Sequence, residues 1–329
     1  MKVILDAFGG DNSPLEIIRG AYDAVIKDNS IEVILCGDEN KIKDILEKEN
    51  LISDKLSIYD CKEVIENTDD PILAVKTKKE SSIIKGLELL KDDGGDVFIS
   101  AGNTGALFTA ANLIIKRIKG VKRSAIGVLL PTERGIKFLF DSGANVTLSP
   151  EYYNQLAIMG STYYSLVMNK KSPKVGLVNI GVEEKKGTEN IIEAYKILKD
   201  NNKINFGGNC EARDVLIGDF DVVICDGFTG NIILKTIEGT AKELSGGIKK
   251  MFKKNIITKI CALILSSGIK EFKKKFDYQE QGAAPIIGLR KPVMKAHGSS
   301  NRKAITSAIL NSKSYVNSDT ISKIESCIL

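Results

Sequence analysis

Short apolar, β-branched runs alternate along the chain with longer segments in which apolar residues recur every three or four positions. Runs of the first kind predict strands at residues 2–7 (KVILDA), 31–37 (IEVILCG) and 174–181 (KVGLVNIG), and in DVFISAG, AIGVLLP, IKFLFDSG and DVVICDG. Helical spacing predicts helices over residues 15–27, 39–48, 104–118, 188–199, 231–244 and 299–310. Such alternation predicts an α/β fold: a doubly wound, mostly parallel sheet with helices on both faces. Ligands of such sheets bind beyond the carboxyl ends of the strands. There the sequence is polar and glycine-rich: DAFGGDNSP, SAGNTG, FDSGAN, NIGVEEKKG, CDGFTGN and AHGSSN.

Two of these tips are near copies. DVFISAGNTGAL (residues 96–107) and DVVICDGFTGNI (residues 221–232) share strand, Gly-x-Thr-Gly turn and ensuing apolar segment. Glycine lets a backbone bend sharply and approach a ligand closely. A helix starting there points free N–H groups and the positive end of its dipole at the turn, which suits an anion. Asn103, Thr104 and Gly105 are the candidates in the first copy; Thr229, Gly230 and Asn231 are those in the second. Either threonine can cap its helix or give its hydroxyl to the anion. Neither copy is a Walker loop or a G-x-G-x-x-G dinucleotide turn.

With 329 residues and 43% hydrophobic content the chain can bury a substantial core. It has no tryptophan and no nucleic-acid reading motif, so a nucleic-acid partner is not expected. The six cysteines are scattered and read as free thiols of a reducing compartment. A zinc site is not expected with His297 as the single histidine. The opening MKVILDAFGG is too short an apolar run for a signal peptide, so a cytoplasmic location is expected.

In order along the chain stand DAFGGDNSP, SAGNTGAL, FDSGANV…SPEYYNQLAIMG, KVGLVNIGVEEKKG, FGGNCEARD, DVVICDGFTGNIILKTIEG, GAAPIIGL and HGSSN. With these motifs the chain resembles the bacterial phosphate acyltransferases that make acyl phosphate from acyl-acyl carrier protein, the PlsX family, from residue 1 to about residue 311. It departs from the family pattern at RSAIG (residues 123–127), Ala212 and Thr147. The resemblance implies a fold similar to isocitrate and isopropylmalate dehydrogenases and phosphotransacetylase, in one unit over residues 1–329 with a central cleft. It further implies a homodimer, no cofactor and no metal, with acyl-acyl carrier protein and inorganic phosphate as substrates.

In that chemistry phosphate attacks a thioester and arrives already anionic, so no Ser–His or Cys–His pair is needed. Lys186, in a Gly-flanked strand-tip loop, is the candidate to neutralise phosphate charge. His297 can donate to phosphate or protonate the leaving thiolate, and Asp226 can act as base or orient a neighbour. Asp141, Gly143 and Asn145 are candidates to orient the ligand or stiffen their loop, and Gly298 and Ser299 to hold an anion at the last helix. Alternatives are a phosphotransacetylase acting on short acyl-CoA, an NAD-dependent decarboxylating dehydrogenase and a non-catalytic membrane adaptor.

Charge is concentrated in one place. Residues 249–276 carry nine lysines against the single acid Glu271, so the rest of the chain is net negative despite an overall +5. These lysines surround an apolar stretch too short to span a bilayer, a pattern suited to an anionic membrane surface. Lys253, Lys254, Ile260, Leu263, Leu265, Lys273 and Lys274 are the candidate contacts of this finger with membrane or acidic carrier protein. A hairpin buried in the dimer interface is the other reading. Peripheral membrane association would place the enzyme beside a downstream glycerol-phosphate acyltransferase.

Overall fold

The structure is a computed structural model that describes residues 1–268 and 282–329. Its strands are β1 (Lys2–Asp6), β2 (Glu32–Gly37), β3 (Leu56–Asp60), β4 (Val97–Ser100), β5 (Ala125–Thr132), β6 (Gly135–Phe140), β7 (Lys174–Asn179), β8 (Asn205–Glu211), β9 (Val222–Ile224), β10 (Ala283–Ile287) and β11 (Val293–Ala296). They form one sheet in the order β3-β2-β1-β4-β11-β10-β5-β6-β9-β7-β8. Pairing is parallel except where β10 lies against β11 and β5, and β5 against β6. The helices are α1 (Leu15–Lys27), α2 (Glu39–Lys48), α3 (Pro71–Thr77), α4 (Ser82–Lys91), α5 (Thr104–Ile114), α6 (Pro150–Val167), α7 (Glu189–Asp200), α8 (Asp214–Ile217), α9 (Gly227–Phe252), α10 (Ile256–Ile264), α11 (Arg302–Val316) and α12 (Thr320–Ile328).

The period of two along each strand deals side chains to opposite faces. Val3, Leu5, Val97, Ile99, Phe138, Phe140, Val222 and Ile224 enter one continuous core with α1, α6 and α11. The residues between them go to the other face, where the core is split. Ile4 and Phe98 pack with α4 and α5. Leu139 and Val223 pack with α8 and the start of α9. Each fully buried Ile, Leu or Phe contributes about 1.5–3 kcal/mol. Over β10 and β5 the two halves stand apart and leave a cleft.

Several elements were not legible in the pattern. Pro285 lies inside β10, paired opposite Met294, and proline ordinarily argues against a central strand. β11 carries Lys295 in an otherwise apolar strand. Edge strand β3 alternates partly buried and exposed residues, and β8 contains two glycines and a register shift. Helix α9 differs most: it begins at Gly227 rather than at 231 and runs to Phe252 rather than to 244. The Asp226 carboxylate accepts from the Thr229 N–H, so the glycine-rich turn is itself the first turn of the helix.

Past its core contacts α9 continues into the lysine-rich finger. Asn255 and Thr258 close a capping box, and α10 packs on the end of α9 with none of its side chains buried. Ile260, Leu263 and Leu265 are 52%, 74% and 53% exposed. Lys253 and Lys254 lie at the bend between the two helices. Lys273 and Lys274 lie outside the described residues.

Candidate active site

The cleft is a cavity of about 1190 Å³ between the tips of β4, β6, β9 and β11. One end is polar, lined by Thr104, Gly143, Asn231, Lys295, His297 and Gly298. The wall is apolar, built from Val128 and Leu130 of β5, Leu216 of α8, and Leu234 and Ile237 of α9.

The two similar turns prove different once folded. In the first, Asn103 is the cap: its Oδ1 accepts from Ala106 N at 3.0 Å, and its Nδ2 donates to the carbonyls of Glu66, Asn67 and Asp69. Its side chain is therefore spent on structure. The N–H groups of Thr104 and Gly105, at the head of α5, have no partner among the described residues. Thr104 is exposed and lines the cavity; Gly105 lies against Pro71. In the second turn most N–H groups are taken, and only that of Phe228 has no partner among the described residues. Gly227 N donates to Asn145 O at 2.7 Å, Thr229 N to the Asp226 carboxylate and Gly230 N to Asp226 O. The Thr229 hydroxyl also donates to Asp226, at 2.8 Å. Thr229 and Gly230 thus serve the helix start, while Gly227 and the exposed side chains of Phe228 and Asn231 line the cavity. The repeat signals two helix starts that differ in openness: two N–H groups without a partner among the described residues at the first, one at the second.

Asp226 is likewise committed. Besides Thr229 it accepts from the Tyr153 hydroxyl at 3.4 Å, which places it in the orienting, capping role at the start of α9. Asp141 organises the β6 tip: its buried carboxylate accepts from the N–H groups of Gly143, Ala144 and Asn145 and from Asn145 Nδ2. Burial pushes its pKa up, and the four donors work against that rise. Asn145 Nδ2 also donates to Ser124 O at 2.9 Å, which ties this tip to the segment before β5. Asp141 and Asn145 stiffen the loop and leave Gly143 facing Asn231.

At the β11 tip His297 lines the cavity. Ser299 N donates to its Nδ1 at 3.2 Å, so Nδ1 is an acceptor and the ring proton sits on Nε2. The Ser299 hydroxyl lies 2.9 Å from the same nitrogen. Partial burial lowers the imidazole pKa below its usual value. The ring is neutral at neutral pH and donates through Nε2–H. Gly298 O accepts from Asp11 N at 2.8 Å, joining the tips of β1 and β11.

Lys186 is not part of this constellation. It is exposed on the loop after β7, its main-chain oxygen accepting from Asn179, and it does not line the cavity. Two lysines that the sequence reading missed line the cavity here: Lys235 of α9, paired with Glu238, and Lys295 of β11, the more deeply placed. The Lys295 Nζ donates to Ala101 O at 3.1 Å and to Ala296 O. Burial lowers its pKa to about 8, against the opposing pull of Asp6 and Asp11. A lysine near the tip of a strand of four residues, next to the glycine-rich HGSSN, was the available signal. Together the Thr104 and Gly105 N–H groups, Lys295, His297 Nε2 and the Asn231 amide can hold an anion and stabilise a second developing negative charge.

Residues 1–323 match the family model described as "Fatty acid synthesis protein". The chain is 44% identical over 324 residues to a phosphate acyltransferase of Acetivibrio thermocellus, covering 98% of this chain and 95% of that one. It is also 44% identical to a phosphate acyltransferase of Thermoanaerobacter pseudethanolicus, over 99% and 96% of the two chains. In fold it is similar to a phosphotransacetylase from Staphylococcus aureus, with a TM-score of 0.62 at 16% identity over 96% and 94% of the two chains. A branched-chain phosphotransacylase from Enterococcus faecalis gives a TM-score of 0.60 at 14% identity over 97% and 100%.

Proposed function

This chain belongs to the phosphate acyltransferase family and is a phosphate acyltransferase of fatty acid and phospholipid synthesis; within that activity we propose that it moves a long fatty acyl group from acyl carrier protein to inorganic phosphate. One observation carries the proposal. A single cavity joins an open helix terminus and a buried ammonium group to an extended apolar wall.

In this reading phosphate rests on the Thr104 and Gly105 N–H groups and on Lys295. A phosphate oxygen attacks the thioester carbonyl carbon, and the carbonyl electron pair moves onto oxygen. The Asn231 amide and His297 Nε2–H donate to that oxyanion. Collapse breaks the C–S bond, and the proton that hydrogen phosphate brought passes to the departing thiolate. Products are acyl phosphate and the free carrier thiol. Holding the two substrates together supplies roughly 7–11 kcal/mol, and each well-placed donor to the oxyanion about 3–4 kcal/mol. His297, neutral at neutral pH, acts as a hydrogen-bond donor rather than as an imidazolium acid.

The apolar wall favours a long acyl chain over the short acyl-CoA of the rival reading. Acyl phosphate formation from hexadecanoyl-acyl carrier protein and from acetyl-CoA, each with saturating phosphate, separates the two. Roughly 100-fold higher kcat/KM with the long-chain donor is expected, a gap hydrophobic discrimination can supply. Preference for acetyl-CoA sinks the proposal.

The chain is further proposed to work as a homodimer and to touch anionic membrane through its finger, delivering acyl phosphate to a glycerol-phosphate acyltransferase. Among the described residues no helix is long and apolar enough to cross a membrane. Support comes from the exposed apolar side chains of α10 beside Lys253 and Lys254. Removing both lysine charges is expected to weaken binding by about 2 kcal/mol, roughly 30-fold. Flotation of Lys253→Gln/Lys254→Gln with phosphatidylglycerol vesicles measures it; undiminished flotation counts against membrane contact.

A further inference from the structure

From Asn231 onward the cavity-facing side of α9 is a largely aliphatic face interrupted by polar side chains, Glu238 and Ser245 among them. Asn231, Leu234, Glu238, Ala241, Ser245 and Ile248 succeed one another at three- and four-residue steps and all line the cavity, with Ile237 and Leu244 beside them. Opposite stand Val128 and Leu130, on one face of β5 by the period of two, and Leu216 of α8. The groove therefore starts at the reacting end and leads along α9 toward the finger. We propose that this α9–β5 groove is the binding site of the acyl tail, and that Ala241 marks where a long fatty chain ends and so sets the longest chain accepted.

Lengths agree with this occupant. From Asn231 to Ala241 is ten residues of helix, about 15 Å. A membrane fatty acyl chain spans about half of a ~30 Å hydrocarbon core, again about 15 Å. A tail whose carbonyl sits by Asn231 passes Leu234 and Ile237 and ends near Ala241. An eight-carbon tail, half as long, ends well short of it. Both Leu234 and Ile237 are partly buried and already pack toward the Leu139 and Val223 core, which gives the inner groove a firm wall. Ala241 is exposed and small, so added bulk there displaces no core residue. The rival occupant of such a face is a second copy of this chain, but a copy has no need of continuity with the Thr104, Lys295 and His297 end.

The inference rests on the acyl-transfer reading, and the test keeps the two apart. Ala241→Trp is compared with wild type using hexadecanoyl- and octanoyl-acyl carrier protein and inorganic phosphate, with the mass of each protein measured by light scattering. The expected result is a hexadecanoyl-to-octanoyl ratio of kcat/KM lowered about 10-fold or more, as for blocked hydrophobic pockets, with octanoyl turnover within about twofold of wild type. That retained turnover also shows that the variant is folded. An unchanged ratio overturns the groove while leaving acyl transfer intact. Equal loss with both donors together with a changed mass overturns it as well and assigns this face to contact between copies. Absence of acyl phosphate from wild type with either donor defeats the acyl-transfer reading and the groove with it.

Discussion

Lys295→Met is expected to lower kcat/KM for phosphate about 10²–10³-fold, the scale seen when a charge-stabilising donor is removed from a catalytic site. Methionine nearly matches the lysine stem in volume, so the fold should survive. The loss falls on phosphate because the Lys295 ammonium is the buried cation among the residues at the polar end. The pH dependence follows from the same burial. The ammonium pKa is lowered to about 8, so the group is charged below that pH and neutral above it. Asp6 and Asp11 pull the other way and Lys235 adds to the lowering. The KM for phosphate should therefore rise as pH climbs through about 8. Lys295→Arg, whose charge persists at every working pH, should retain part of the activity and lose that alkaline rise. Initial rates against phosphate from pH 6.5 to 9.5 measure both; a KM profile identical in wild type and Lys295→Arg excludes lysine titration as its cause.

Gly230→Ala should act through geometry rather than charge. An added Cβ would overlap the Asp141 carbonyl oxygen and crowd the Cys225 sulfur. These are backbone and core atoms that cannot swing aside, so the β6 and β9 tips must separate at a cost of about 3 kcal/mol. Gly143 and Asn231 ride on those two tips, and activity should fall with stability. Gly239→Ala on the same helix is the control. Nothing lies within 4 Å of its added Cβ, and alanine is the better helix former by about 1 kcal/mol. Thermal melts should show Gly230→Ala clearly below wild type and Gly239→Ala at or slightly above it. Coincident melting of the two variants would refute the close-approach role of Gly230.

The doubled Gly-x-Thr-Gly turn marked two places where strands hand over to helices, and both lie at the cleft. It did not show which helix terminus stays open. That depends on where each cap falls. Asn103 stands inside the first motif and is followed by two N–H groups without a partner among the described residues, whereas Asp226 precedes the second and with Asn145 takes up all its N–H groups but that of Phe228. His297 was legible as a single histidine beside a glycine-rich tip, and the structure adds its tautomer through the Ser299 N–H. Lys186 drew notice because it is a lysine in a glycine-flanked loop. Lys295 escaped notice because a lone lysine in an apolar run reads as a solvated strand end.

The sequence by itself determined the α/β class, a run of glycine-rich strand tips of which four line the cleft, and the concentration of positive charge in the finger. These are local properties: period two, period 3.6, turn residues and net charge are all written within a few neighbouring positions. Tertiary structure decided which tips meet. It brought Lys295 of β11 and the following His297 to the same cavity as Thr104 by pairing β11 with β4, almost 200 residues earlier in the chain. It also turned Asp226 and Thr229 inward as a cap and carried Lys186 to the far side of β9. Strand order is a pairing choice made between distant segments, so no local pattern contains it.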